Sequence, residues 1–313
     1  MSDLAQEGAR PAAHAALPYA STDEFVTGAL GFLDAGFGED EPVLVSAPLP
    51  EIGLLRARMD ARAHQVDWTD IAEVGANPGR IISFMDSFVS AHAGRPVRCV
   101  QGLAWAARTA AEQTEAIRHE ALINLAFAAM PVRILCTYDS ARLHPSVMRS
   151  AMATHPLLVQ DGHAAPSSAY DARAVFPDEY NRPLPRPPAG APTLAYRADL
   201  ASPRAHAARH ARSIGLSPAR VPDLVLAVGE LAANTLRHTN AGGVLAIWAT
   251  GSELLCQVQD TGHISDPLAG RRRPDANATG GHGLWLVNQL CDLVELRSGP
   301  GRTAIRLHMR LSS

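Results

Sequence analysis

Glu230-Leu-Ala-Ala-Asn234-Thr-Leu-Arg-His238 sets a carboxylate, a carboxamide and an imidazole at i, i+4 and i+8, on one face of a helix. Leu224, Val228, Leu231 and Thr235 recur on the roughly opposite face, where a core would pack. Downstream, an apolar run ends in Asp260-Thr261-Gly262, and Gly280-Gly281-His282-Gly283-Leu284 opens a second apolar helix. The three segments, in that order, are chemically suited to a magnesium nucleotide. Glu230 can accept a proton while Asn234, one turn on, offers an amide oxygen to a hard cation. Asp260 at a strand end can accept the exocyclic amine of adenine, with Gly262 letting the backbone approach the base. Glycines before a helix leave N–H groups facing outward at the positive end of the helix dipole, where phosphate binds.

This order of boxes resembles the Bergerat-type ATPase fold of gyrase and the histidine kinases, and most closely the anti-sigma factor serine kinases of Gram-positive bacteria. The resemblance covers about residues 193 to 313 and implies an α+β ATP-binding sandwich. Carried over, Glu230 corresponds to the general base and Asn234 to the Mg²⁺ ligand. Asp260 corresponds to the adenine reader, and Gly262, Gly281 and Gly283 to hinge and phosphate-loop glycines, with His282 and Leu284 beside them in the nucleotide site. Thr303, at the start of the final strand, falls where the family has a Gly-Thr pair near adenine. A glutamate four positions before the asparagine favours the serine kinases over many histidine kinases. Ile264 stands where the family often has a second glycine. The segment from about Ile264 to Thr279 is a short lid carrying Arg271-Arg272-Arg273, a run expected to be solvated.

Composition narrows the alternatives. The 313 residues exceed the usual single domain, and 47% hydrophobic content supports sizeable cores. A net charge of −3 gives no basic field for nucleic acid. Every basic side chain is arginine; without lysine there is neither a P-loop lysine nor a Schiff-base lysine. Cys99, Cys136, Cys256 and Cys291 are widely spaced, and their spacing suggests neither a zinc site nor a disulfide framework. No apolar run has membrane-spanning length and no basic-then-apolar leader is present, so a cytoplasmic protein is expected.

Six prolines between Pro177 and Pro192 read as an extended, semi-rigid linker over 177–192. Upstream, strand and helix patterns alternate. Helices are expected from Ser21 to about Asp34, Pro50 to Ala63, Asn77 to His92, Ala110 to Met130, and from His144-Pro145 onward. Strands are expected over Pro42–Ala47, Pro96–Leu103 and Val132–Tyr138. Such alternation predicts a mostly parallel sheet with helices on both faces.

Residues 11–176 resemble the sensory domain named for methanogens, methylotrophs and the dichloromethane regulator, which implies an α/β, RecA-like fold. The carriers are His14 with Tyr19, Glu41 to Val45, Asn77 to Ile82, Arg118 to Leu125, and Leu135 to Asp139. The stretch Gln101-Gly102-Leu103-Ala104-Trp105 lacks the acid and proline of the family's Gly-Glu-Pro-x-Trp motif. Cys136 reads as a small buried thiol, with redox sensing as the sharper alternative.

Together the two resemblances imply a regulator that uses ATP and Mg²⁺ to phosphorylate a serine on a STAS-type anti-sigma-factor antagonist. A sigma factor would be its second partner, a small-molecule signal would act at the first domain, and the protein would be a homodimer. His119-Glu120 also resembles a phosphoacceptor pair, so a sensor histidine kinase using His119 is one alternative. An ATP-gated binding module without transfer activity is the other.

Overall fold

The computed structural model describes residues 12–103, 108–160, 162–171, 181–275 and 280–311. Ala104 and Trp105, Pro177 to Tyr180, and the end of the lid at 276–279 lie outside them. The chain divides into two compact units on either side of residues 177 and 178. No helix among the described residues is long and apolar enough to cross a membrane.

In the first unit the elements are β1 (Ala12–Tyr19), α1 (Thr22–Gly38), β2 (Val43–Ala47), α2 (Leu49–Met59), β3 (Val66–Asp70), α3 (Ile71–Val74), α4 (Ile81–Ala91), β4 (Val97–Gln101), α5 (Ala110–Ala126), β5 (Val132–Asp139), α6 (Pro145–Thr154), β6 (Leu157–Gln160) and β7 (His163–Pro166). They build a seven-stranded sheet in the order β3-β2-β4-β5-β1-β6-β7, parallel throughout except for the β6–β7 pair. β2 and β4 are buried at every position, as strands covered on both faces must be. Helix starts follow local chemistry. Ser21 caps α1 by accepting from the Glu24 N–H, and Thr109 with Glu112 forms a reciprocal capping box at α5.

Boundaries moved where a local rule intervened. α5 ends at Ala126 rather than near Met130, because Pro131 disfavours helical backbone at the residue before it. The Asn77 turn is a short 3₁₀ segment, Pro78–Arg80, before α4 begins. The central strand β1 has no counterpart among the expected strands: Ala-Ala-His-Ala-Ala-Leu-Pro-Tyr carries no β-branched residue, and its place is set by pairing with β5 and β6.

The second unit holds β8 (Thr193–Tyr196), α7 (Ala201–Ile214), α8 (Val221–His238), β9 (Gly243–Thr250), β10 (Glu253–Asp260), α9 (His282–Leu290), β11 (Leu293–Gly299) and β12 (Arg302–Arg310). Its five strands run β11-β12-β10-β9-β8, antiparallel at every pair. Leu224, Val228 and Leu231 of α8 pack with Val287 of α9 and with Leu245, Cys256, Ile305 and Leu307 of the sheet into one core. The same sheet also carries buried polar side chains: Arg306 bonds Gln257 Oε1, and His308 sits between Glu253 and Glu295.

Residues 181–192 belong to this unit rather than hanging free between two. Asn181 exchanges hydrogen bonds with the Ser298 backbone, Leu184 is buried, and Arg306 donates to the Pro185 carbonyl at 2.6 Å. The Pro192 carbonyl then accepts from Ile247 N–H. The segment is extended, as its prolines require, but docked.

Candidate functional site

α8 starts at Val221-Pro222, with proline in its first turn, and ends with Arg237 and His238, whose charges suit the negative helix end. Its buried face includes Leu224, Val228, Leu231 and Thr235, which leaves Glu230 and Asn234 half-buried on the flank; His238 is exposed. α9 crosses this flank. Its N-cap Gly281 has φ +89°, a left-handed conformation that glycine adopts without strain, and no side chain caps the first turn. Gly281 and His282 are exposed, and no acidic residue occupies the first turn. The N–H groups of that turn therefore face outward in a positive field.

Gly283 brings the two helices together. A Cβ at this position would lie 2.8 Å from Glu230 Oε2 and 3.5 Å from Asn234 Nδ2. With glycine here the start of α9 sits directly over the acid and amide, where a larger residue would have to displace the Glu230 carboxylate, and this contact unites the first and third sequence boxes. Leu284, the next residue, packs at the edge of the core.

The second box closes the arrangement at the strand ends. Asp260, the last residue of β10, pairs in register with Thr303 on one side and Gly243 on the other. Its Oδ1 accepts from Gly262 N–H at 2.8 Å, and its Oδ2 accepts from Thr235 Oγ1 at 2.6 Å. Tyr196 donates in turn to Thr235 at 3.1 Å. Burial raises the Tyr196 phenol, so it stays a donor, and Gly243 leaves the space its hydroxyl occupies. A phenol, a hydroxyl and a backbone N–H thus orient one carboxylate. Thr303 donates to the Gly262 carbonyl at 3.0 Å and shares a 2.8 Å hydrogen bond with Ser298, whose hydroxyl accepts from Ile264 N–H. Ile264 itself is half-buried against the core.

Glu230, Asn234 and Gly283 form one group in space, and Asp260, Gly262 and Thr303 another; α8 joins them through Thr235, one residue after Asn234. Tyr196, Thr235, Gly243 and Ser298 escaped the sequence reading. The available signal was Thr235, a hydroxyl on the apolar face of its helix.

The lid differs from expectation. Arg271 is buried rather than solvated, while Arg273 is exposed and lies 5.8 Å over the Trp285 ring. Gly270, at φ +75°, lets the chain lie against α9: a Cβ there would come within 2.9 Å of the Leu284 backbone, and Asn288 donates to the Gly270 carbonyl at 3.1 Å. The described part of the lid is packed down on α9, which takes Arg271 with it.

His119 is fully buried within α5, in the first unit. In the turn after β1, Ser21 accepts from Glu24 N–H and Glu24 accepts from Ala20 N–H, and Asp23 and Glu24 make the start of α1 acidic. An anionic ligand is disfavoured there.

Comparison with known families agrees with this division. Residues 194–309 match the histidine kinase-like ATPase domain, the class that the antiparallel sheet and its helix-end site define. Residues 13–156 match MEDS, the methanogen/methylotroph, DcmR sensory domain. The chain is thus a MEDS domain followed by a histidine kinase-like ATPase domain. No curated protein matches it. Among solved structures, the RsbU and RsbW domains of Rv1364c from Mycobacterium tuberculosis are similar at 22% identity, over 39% of this chain and 33% of that one, with a TM-score of 0.29.

Proposed function

We propose that the protein is an ATP-dependent serine kinase that regulates a sigma factor by phosphorylating a STAS-type antagonist, under control of its N-terminal sensory domain. The observation that carries this reading is Gly283 seated against Glu230 and Asn234, which puts an uncapped helix N-terminus beside a base and an amide.

The residues present fit Mg-ATP. The first turn of α9 offers N–H donors with no competing acid, Asn234 offers an amide oxygen, and Asp260 is held by Thr235 and Gly262 with lone pairs to spare for an exocyclic amine. Mg-ATP, when bound, supplies the phosphoryl group that is transferred. Glu230 would take the proton of the incoming serine hydroxyl, and Asn234 would hold the cation. Gly281, His282, Gly283 and Leu284 present backbone N–H groups where negative charge accumulates, and Gly262 and Thr303 support the adenine end. Unphosphorylated antagonist would bind and free the sigma factor; phosphorylated antagonist would be released. We place the protein in the cytoplasm as a homodimer.

For the first unit we read the order β2-β4-β5-β1-β6 as a RecA-like core whose usual phosphate position is lost, consistent with sensing rather than hydrolysis. The complete burial of His119 weighs against a phosphoacceptor role, because a buried imidazole is closed to a phosphoryl donor. The test is transfer from radiolabelled ATP to a purified STAS-domain protein. Acid-stable label on a serine of that protein is expected. Acid-labile label on this chain would overturn the serine-kinase reading, and ATP binding without any label would leave the gated binding module.

A further inference from the structure

A set of polar side chains lies far from the nucleotide boxes, inside the MEDS domain. His14 of β1, Glu120 of α5, Cys136 of β5 and His155 at the end of α6 are 4%, 3%, 1% and 0% exposed. His14 pairs in register with Ile134, so Cys136, two residues on, shares its sheet face. His14 Nε2 lies 3.3 Å from Cys136 Sγ and 3.4 Å from Glu120 Oε2. Cys136 Sγ is 3.3 Å, and His155 Nε2 3.5 Å, from the same carboxylate oxygen. One ligand atom from each residue falls within 4.8 Å of all the others.

Surrounding hydrogen bonds decide which lone pairs point inward. Asn124 donates its Nδ2 to the Thr154 carbonyl at 2.7 Å, so its Oδ1 faces His14 Nδ1 at 3.1 Å and takes that proton. His155 Nδ1 is 2.7 Å from the Ala151 carbonyl, which can only accept. Both rings therefore carry a proton on Nδ1 and direct Nε2 at Glu120. Two imidazole nitrogens, a thiol and a carboxylate converge in a buried site, and the Tyr138 phenol also faces Glu120. Glu120 Oε1 and His155 Nε2 have no hydrogen-bond partner.

We propose that His14, Glu120, Cys136 and His155 bind a divalent transition-metal ion of the zinc class. The donor set of two nitrogens, one sulfur and one oxygen suits a tetrahedral borderline-soft ion. Tetrahedral bonds of about 2.0–2.3 Å separate neighbouring ligand atoms by roughly 3.2–3.6 Å; four of the six separations already lie at 3.3–3.5 Å and the other two within 4.8 Å. Asn124 and the Ala151 carbonyl are the outer partners that fix ligating imidazoles. On binding, the Cys136 thiol loses its proton to solvent and the sulfur ligates as thiolate. A cavity of about 270 Å³, lined in part by His14, Asn124, Ile134 and Tyr170, gives access to the His14 side of the cluster.

Wide cysteine spacing concealed this site: the sequence contributes one cysteine, and four separate elements contribute one ligand each. The test uses full-length protein, purified without a histidine tag, stripped with chelator and titrated with Co²⁺. One equivalent should bind with a thiolate-to-cobalt charge-transfer band, and Zn²⁺ should displace it. Cys136→Ser should remove the band while circular dichroism shows the fold retained. Asn124→Ala, acting through His14, should weaken binding about 10–100-fold. A folded protein that binds no Co²⁺ or Zn²⁺, or an unchanged band in Cys136→Ser, would overturn the proposal. If the serine variant does not fold, X-ray absorption on the zinc-loaded wild type decides. A shell containing one sulfur supports the site; a shell of nitrogen and oxygen alone overturns it.

Discussion

The two units place their polar chemistry in opposite settings. In the ATPase unit, Glu230, Asn234 and Asp260 are half-buried at helix flanks and strand ends, beside glycines that keep the surroundings open. In the MEDS unit the comparable groups are sealed in: the His14 cluster, and Arg98 with Glu41, side chains 0% and 2% exposed. Open polar groups can be changed at the expense of function alone, whereas sealed ones are part of what holds the fold together. Substitutions should therefore separate rate from stability in one unit and fail to do so in the other.

The largest effect is expected at Glu230. Glu230→Gln keeps the shape beside Gly283 and removes the proposed base, so transfer should fall about 10²–10⁴-fold with ATP affinity and melting temperature unchanged. Steady-state kinetics, calorimetry and a thermal melt read all three. A parallel drop in stability would break the contrast between the units.

Arg98 is the counterpart. Its guanidinium bonds Glu41 and the Phe32 carbonyl, approaches Glu39 at 3.6 Å and lies 5.0 Å over the Phe32 ring, while Arg133 holds the other oxygen of Glu41. Arg98→Met should cost about 3 kcal/mol in denaturant unfolding of the first unit, because it strips a buried carboxylate of one of its partners. ATP affinity should not move. A stability loss within error of zero would show that Arg133 alone neutralises Glu41.

Asp260→Asn comes next. Losing the charge proposed to face adenine should weaken ATP binding by about 1.5–3 kcal/mol, roughly 10–150-fold in Kd. Unchanged affinity in calorimetry would remove Asp260 from the nucleotide site.

The smallest effect is a pH dependence that sharpens the comparison from the other side, since His308 is a sealed group within the open unit. Burial lowers its imidazole, but Glu253 at Nδ1 and Glu295 at Nε2, 3.1 and 3.0 Å away, outweigh that and leave it raised; Arg306 and Arg297 also face Glu295. A raised folded-state value contributes stability that is full below the unfolded value near 6.5 and is lost as pH rises through the folded one. The urea midpoint of the second unit should therefore fall as pH rises from below about 6.5 through the raised folded-state value. His308→Gln should flatten that slope. An equal slope in the variant would assign it to other groups.

Sequence alone determined whatever depends on short spacing. The acid, amide and core faces of α8 follow from 3.6-residue periodicity, and the Asp260 turn and the α9 start follow from local glycine chemistry. The alternation of Pro42–Ala47, Pro96–Leu103 and Val132–Tyr138 with helices was enough for a parallel sheet. Tertiary structure decided whatever depends on partners distant in the chain. β1 is a strand because β5 and β6 flank it, although its alanines would suit a helix equally well. The proline segment from 181 is docked because Ser298 and Arg306 hold its carbonyls and amide. Arg271 is buried because the lid lies down on α9. Thr235 and Tyr196 join Asp260 only when β8, α8 and β10 meet. The His14, Glu120, Cys136 and His155 cluster has no spacing to read: its members converge from two strands and two helices, and long-range convergence is encoded in packing rather than in local pattern.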